Sequence, residues 1–127
     1  MKFKTISSFA AVLTTLNAFF FLVLPEFSLS LLQRPTNSIG LLNTRLAGAC
    51  ALGLGVMTWS SRNSKSGEVR RIVYAGNLTA FGAIVLVDLY GLWVQAINQL
   101  GWLILVIDLL ILIGFLSSAF TFRGKPS

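Results

Sequence analysis

Two aspartates stand in the stretch VDLYGLWVQAINQLGWLILVID, Val87 to Asp108, inside an apolar-dominated run that extends from Ile72 to Phe122. Asp88 and Asp108 are each ten residues from Asn98. Paired carboxyls can hold a proton between them, accept an arginine or bind a hard cation. An ionised aspartate at the middle of a membrane-crossing helix costs ~2.5 to 3.5 kcal/mol, so such residues ordinarily face other helices and find partners. Arg45 is the candidate partner, because helical side chains lean toward the N-terminus of their own helix. On that rule Arg45 and Asp108 lean the same way and form the more natural pair, while Asp88 sits deeper. Asn77 shares one helical face with Ile84, Asp88, Gly91 and Gln95, and Asn17 is a further amide in the same hydrophobic surroundings. The expected constellation is therefore a buried polar cluster of Arg45, Asp88, Asp108, Asn77 and Asn17. It serves either as a polar seam between helices or as a site for a proton, a cation or a polar headgroup.

Other chemistry is scarce. The chain has no histidine, which removes the commonest general base, metal ligand and axial haem ligand. Its one cysteine, Cys50, can form no internal disulfide and is expected to pack as a small apolar residue. No nucleophile and base pair is recognisable, and the two carboxylates match no known cation-site spacing. No catalytic residue, metal or cofactor is expected, and the chain does not read as an enzyme. Asn77-Leu78-Thr79 matches a glycosylation acceptor in letters only, because it falls inside an apolar span.

The elements that must carry these residues follow from hydropathy. Of 127 residues, 55% are hydrophobic and only 11% charged, with a mean hydropathy of +0.80, which marks an integral membrane protein. Runs long enough to cross a hydrocarbon core occur at residues 6–24, 41–60, 72–95 and 101–120. The run from Ile72 to Phe122 would be roughly 75 Å long as one helix, more than twice the ~30 Å core. It must fold back, and its polar cluster of Gln95, Asn98 and Gln99 puts the turn near Asn98 at a membrane surface. The segment PEFSLSLLQRPTNSIG is too apolar for a solvated loop and is expected to lie partly over the bundle. Pro35 prevents a continuous helix there, and Thr36, Asn37 or Ser38 can cap the next one. The first span, with Lys2 and Lys4 before it and Pro25 after it, imitates a secretory signal, but its length favours a retained span.

Charge orients the spans. Lys2 and Lys4 precede span one, Arg62, Lys65, Arg70 and Arg71 separate spans two and three, and Arg123 and Lys125 follow span four. These segments share one side of a four-pass chain and hold eight of its ten basic residues, which by the positive-inside rule makes that side cytoplasmic. Topology and attraction to anionic headgroups account for the net charge of +6, so no nucleic-acid partner is expected. Small residues set the packing. Span one has Ser7, Ala11, Thr14, Thr15 and Ala18 on one face; span two has Ala47, Ala51 and Gly55, then Ala49 with Gly53, beside Gly48. Such residues let helices approach closely in lipid, so span two is expected to be the central helix. Trp59, Trp93 and Trp102 form a credible aromatic belt.

At RLAGACALGLGVMTWSSR, Arg45 to Arg62, the sequence resembles a family of small bacterial four-helix membrane proteins whose second helix reads as arginine, a small-residue run and a tryptophan before a basic loop. The layout is also distantly similar to four-helix scaffold proteins of sterol biosynthesis, which implies an accessory role. The expected location is the cell membrane, a bacterial inner membrane above all. The expected architecture is all-α: a single transmembrane domain over residues 1–127, a four-helix bundle with both termini cytoplasmic. Its partners are the lipid bilayer and another membrane protein or a second copy. Two functions compete: a non-enzymatic accessory or scaffold subunit, or lipid-interacting protein, and a small proton- or ion-coupled transporter or channel acting as an oligomer. An embedded enzyme ranks third.

Overall fold

The computed structural model describes residues 2–34 and 36–123. Pro35, Lys125 and the side chain of Arg123, all weighed above, lie outside the described residues. The chain forms five helices: α1 (Phe3–Val23), α2 (Pro25–Leu31), α3 (Ser38–Ser61), α4 (Gly67–Trp93) and α5 (Leu100–Arg123). All but α2 are long and apolar enough to cross a membrane. Pro25 opens the short α2, where its fixed φ suits the first turn and its missing N–H costs nothing. Asn37 caps α3 by accepting from Gly40 N at 2.7 Å, and Ser66 caps α4 by accepting from Val69 N at 3.4 Å. Those caps start α3 and α4 about a turn earlier than hydropathy alone indicates.

Two ends can be distinguished. At the basic end the guanidinium of Arg70 lies 5.2 Å from the centre of the Phe3 ring and 5.9 Å from that of Phe122, so the start of α1, the start of α4 and the end of α5 meet there. At the other, the α2 end, Asn98 Nδ2 donates to the Leu31 carbonyl at 2.7 Å. The same Asn98 accepts from Leu100 N at 3.1 Å, so one side chain starts α5 and ties the α4–α5 turn to α2. The fold-back expected near Asn98 is thus present, and α2 covers this end through buried Pro25, Ser28 and Leu29.

The apolar core occupies the basic half. Phe3, Ile6 and Ala10 of α1 pack with Val73, Tyr74 and Phe81 of α4 and with Ile111 and Phe115 of α5. Tyr74 meets Phe3 and Phe115 edge to face, and its hydroxyl pairs with Ser118 Oγ at 2.8 Å, which satisfies both buried groups.

The closest helix approach is between α1 and α3. A β-carbon placed on Gly48 would stand 2.9 Å from Phe21 Cβ and 3.2 Å from the Ala18 carbonyl oxygen. One placed on Gly55 would stand 2.5 Å from Thr15 Oγ1 and 3.4 Å from the Ala11 carbonyl oxygen. Gly48 opposite Ala18 and Gly55 opposite Ala11 form an antiparallel seam with the same seven-residue repeat on both helices. The face of α3 turned inward is Thr44, Gly48, Gly55 and Thr58. Both expected small series differ: of Ala47, Ala51 and Gly55 only Gly55 is buried, while Ala49 is exposed and nothing lies within 4 Å of a β-carbon on Gly53; Cys50, expected to pack inside, is exposed as well. Nor is α3 the central helix, since it is the least enclosed of the four long helices. Hydropathy did not say which of its two small faces α1 would take.

Gly48→Leu should therefore lower the melting temperature in detergent, by overpacking worth ~1 to 3 kcal/mol. Gly53→Leu should leave the fold unchanged. Equal destabilisation by both would mean that α1 is not seated on the Gly48 face.

Candidate polar site at the α2 end

The aspartates come together. Asp88 lies on α4 and Asp108 on α5, and their equal distance from the turn makes the two carboxyls neighbours. Asp88 Oδ2 is buried without a hydrogen-bond partner, with Asp108 as its neighbour.

The arginine that acts on this pair is Arg34, not Arg45. Arg34 exerts a through-space attraction on Asp88, and its Nη2 lies 3.7 Å from where a β-carbon on Gly91 would stand, three residues from Asp88. Local backbone bonding fixes its position. Gln33 takes the left-handed conformation at φ 53°, Gln33 N donates to the Ser30 carbonyl and Arg34 N to the Leu29 carbonyl, closing α2 in a Schellman motif. Helix α4 ends in the same motif, with Gln95 at φ 55° and Ala96 N donating to the Gly91 carbonyl at 2.8 Å. Glycine ordinarily fills that position, and glutamine there costs of the order of 1 kcal/mol. Beyond Arg34, an open cleft of about 520 Å³ runs between Ser28 and Leu29 of α2 on one side and, on the other, the capping Asn37 with Asn43 and Thr44 of α3. Arg34 can present its charge either to the carboxyls or to this cleft.

The other expected members stand elsewhere. Arg45 is exposed on α3, which turns Thr44 inward instead; successive helical residues are about 100° apart, so its neighbour cannot share that face. Moreover, α3 meets α4 through Thr58 and Asn77, near the basic end and far from Asp88. The Arg45–Asp108 pair is therefore absent. Asn17 is likewise exposed, because Ala18 holds the inward position of α1 at that level. Asn77 is buried but forms a separate contact: its Nδ2 donates to Thr58 Oγ1 at 3.0 Å and to the Val73 carbonyl at 2.9 Å, while Thr58 Oγ1 lies 3.3 Å from Asn77 Oδ1. The polar cluster is thus two sites, Asp88–Asp108 with Arg34 and Asn77 with Thr58. Sequence reasoning missed Arg34 because it lies in the connector; the signal was the apolar character of that segment, which requires it to return over the bundle. Among the described residues no group of three or more acidic or cysteine side chains is placed to hold a metal ion.

Two stability measurements check this assignment. Arg34→Gln should lower the melting temperature by a modest ~0.2 to 1 kcal/mol, since Arg34 is exposed, and part of that loss should return when Asp88→Asn is added. Arg45→Gln should leave the isolated protein as stable as before. Separately, Asn77→Ala strands the buried Thr58 hydroxyl and should cost ~1 to 3 kcal/mol; a neutral result would show that Thr58 finds a partner within α3.

No curated protein and no solved structure matches the chain. A family described as a domain of unknown function, DUF8292, matches residues 3–121. The pairing of carboxyls across α4 and α5, the capped α2 and the glycine–alanine seam all lie within that span, and the chain belongs to this family.

Proposed function

We propose that this chain is a non-enzymatic accessory subunit of a membrane complex, a four-span protein with both termini cytoplasmic that binds another membrane protein laterally through α3. The observation that carries the reading is the outward face of α3, where Ala49 and Gly53 leave room for a close helix and Arg45 stands without a partner among the described residues. In lipid, small residues and polar side chains are the means by which helices associate. The membrane setting is supported by four long apolar helices and by exposed tryptophans at both ends, Trp59 stacked under Arg62 at the basic end and Trp93 and Trp102 at the other. Concentration of basic residues at the end shared by Phe3, Arg70 and Phe122 supports the cytoplasmic assignment. The poverty of catalytic groups fits a scaffold role of the kind that the sterol-scaffold resemblance implies.

A second reading rests on the Asp88–Asp108 contact: a proton- or cation-coupled transporter, which four helices could serve only as an oligomer. Purification from the native membrane in mild detergent separates the two. The accessory reading expects a stoichiometric protein partner that is lost on Gly53→Leu. A lone homo-oligomer whose proton flux in vesicles disappears with Asp88→Asn would replace it with the transport reading. For the topology, thiol labelling of Ser64→Cys and Gln99→Cys in a Cys50→Ala background should reach only Gln99→Cys from outside intact cells; labelling at Ser64→Cys would invert the arrangement.

A further inference from the structure

Arg45 raises a problem that the rest of the fold does not solve. It follows Ser38, the first residue of α3, by seven positions, which puts it ~10 Å along the helix from the α2 end. It faces outward, and flanking Leu42, Leu46 and Val56 are exposed with it. Charged side chains inside spans are costly and ordinarily point into the bundle or pair with another charge. Arg45 does neither, and it heads a stripe with Ala49 and Gly53 at four-residue intervals, where Gly53 has open space beside it.

Three occupants can be compared by charge. A second copy packed about a twofold axis along the membrane normal would face Arg45 with its own Arg45 at equal depth, like charge against like. Of the chain's four side-chain carboxyls, Asp88 and Asp108 are half-buried beside each other, Glu68 stands in the first turn of α4 at the basic end, and Glu26 lies in α2, outside the four long helices, so another copy offers no free carboxyl inside a long helix at the depth of Arg45. A headgroup phosphate could neutralise an arginine that reaches outward along its helix, but it would leave the smooth Ala49–Gly53 surface uncovered. A partner helix with a carboxylate at the depth of Arg45 satisfies both features at once.

Resting on the accessory-subunit reading above, we propose that the Arg45–Ala49–Gly53 face of α3 docks a transmembrane helix of another protein that carries an aspartate or glutamate level with Arg45. The charge pair selects the partner and sets its register, while Ala49 and Gly53 allow the two backbones to close.

The test uses a defined probe. A leucine–alanine transmembrane peptide with a single aspartate ~10 Å below its outer end is co-reconstituted with the full-length protein in phosphatidylcholine nanodiscs, and binding is read by energy transfer. The aspartate peptide should bind about tenfold more tightly than its all-apolar version. Arg45→Gln should erase that preference, Arg45→Lys should keep most of it, and Gly53→Leu should weaken both peptides. Equal binding of the two peptides to the wild type, or a preference that survives Arg45→Gln, overturns the proposal. So does a preference lost when phosphatidylglycerol replaces phosphatidylcholine, since lipid phosphate then holds the arginine. The two readings fail separately: a native partner that stays bound to Arg45→Gln but leaves Gly53→Leu sinks the charge pairing alone. Selective peptide binding without any native partner sinks the accessory role alone.

Discussion

The contact on which the bundle depends is the seam in which Gly48 and Gly55 of α3 lie against Ala18 and Ala11 of α1. In a hydrocarbon surround, burying leucine against leucine gives no transfer advantage, because lipid is as apolar as the protein interior. What remains is dispersion at close range, and only small side chains allow it between backbones. A missing β-carbon at two points seven residues apart commits α3 to α1 along its length. That commitment has a geometric consequence: α3 is drawn to one flank, meets α4 near the basic end, and keeps a broad side unpartnered.

The two halves of the molecule are held by different means. Around Phe3, Tyr74, Phe81 and Phe115 the basic half has an interlocked aromatic core, flanked by the Tyr74–Ser118 and Asn77–Thr58 hydrogen bonds. At the α2 end the helices are instead positioned by backbone terminations and by single polar links. Two Schellman turns with glutamine in left-handed conformation stop α2 and α4, and one asparagine bridges them. Strain of this kind persists where surrounding structure imposes it. Here it fixes Arg34 beside the carboxyl pair, so the half without the aromatic core is the half that carries the two aspartates.

The sequence disclosed whatever depends on period and length. The four long helices, the fold-back near Asn98, the capping role of Asn37 and the common depth of Asp88 and Asp108 follow from hydropathy, turn chemistry and a fixed rise per residue. It was mute where the question was which of two similar faces is used. Gly48 with Gly55 and Ala49 with Gly53 are equally good small-residue faces in isolation, and only the complementary spacing of Ala11 and Ala18 on α1 decides between them. Choosing the wrong one moves Arg45 from the interior to the exterior. Depth and side-chain lean alone named Arg45, without the face that decides its orientation, and α2, whose turn carries Arg34 back toward α4, was hidden because seven residues are too few for a periodic signal.

Several inward polar side chains have an intramolecular neighbour: Asn77 has Thr58, Tyr74 has Ser118, and Asp88 has Asp108 with Arg34 beyond it. Arg45 takes no part in these contacts, and the glycine seam that turns Thr44 toward α1 also turns Arg45 away. The same face choice that closes one side of α3 leaves on its other side a charge, an alanine and a glycine in register. An arginine in that position is not a core residue; in a hydrocarbon surround it would either reach outward along its helix to the interface or pair with a charge from outside the chain.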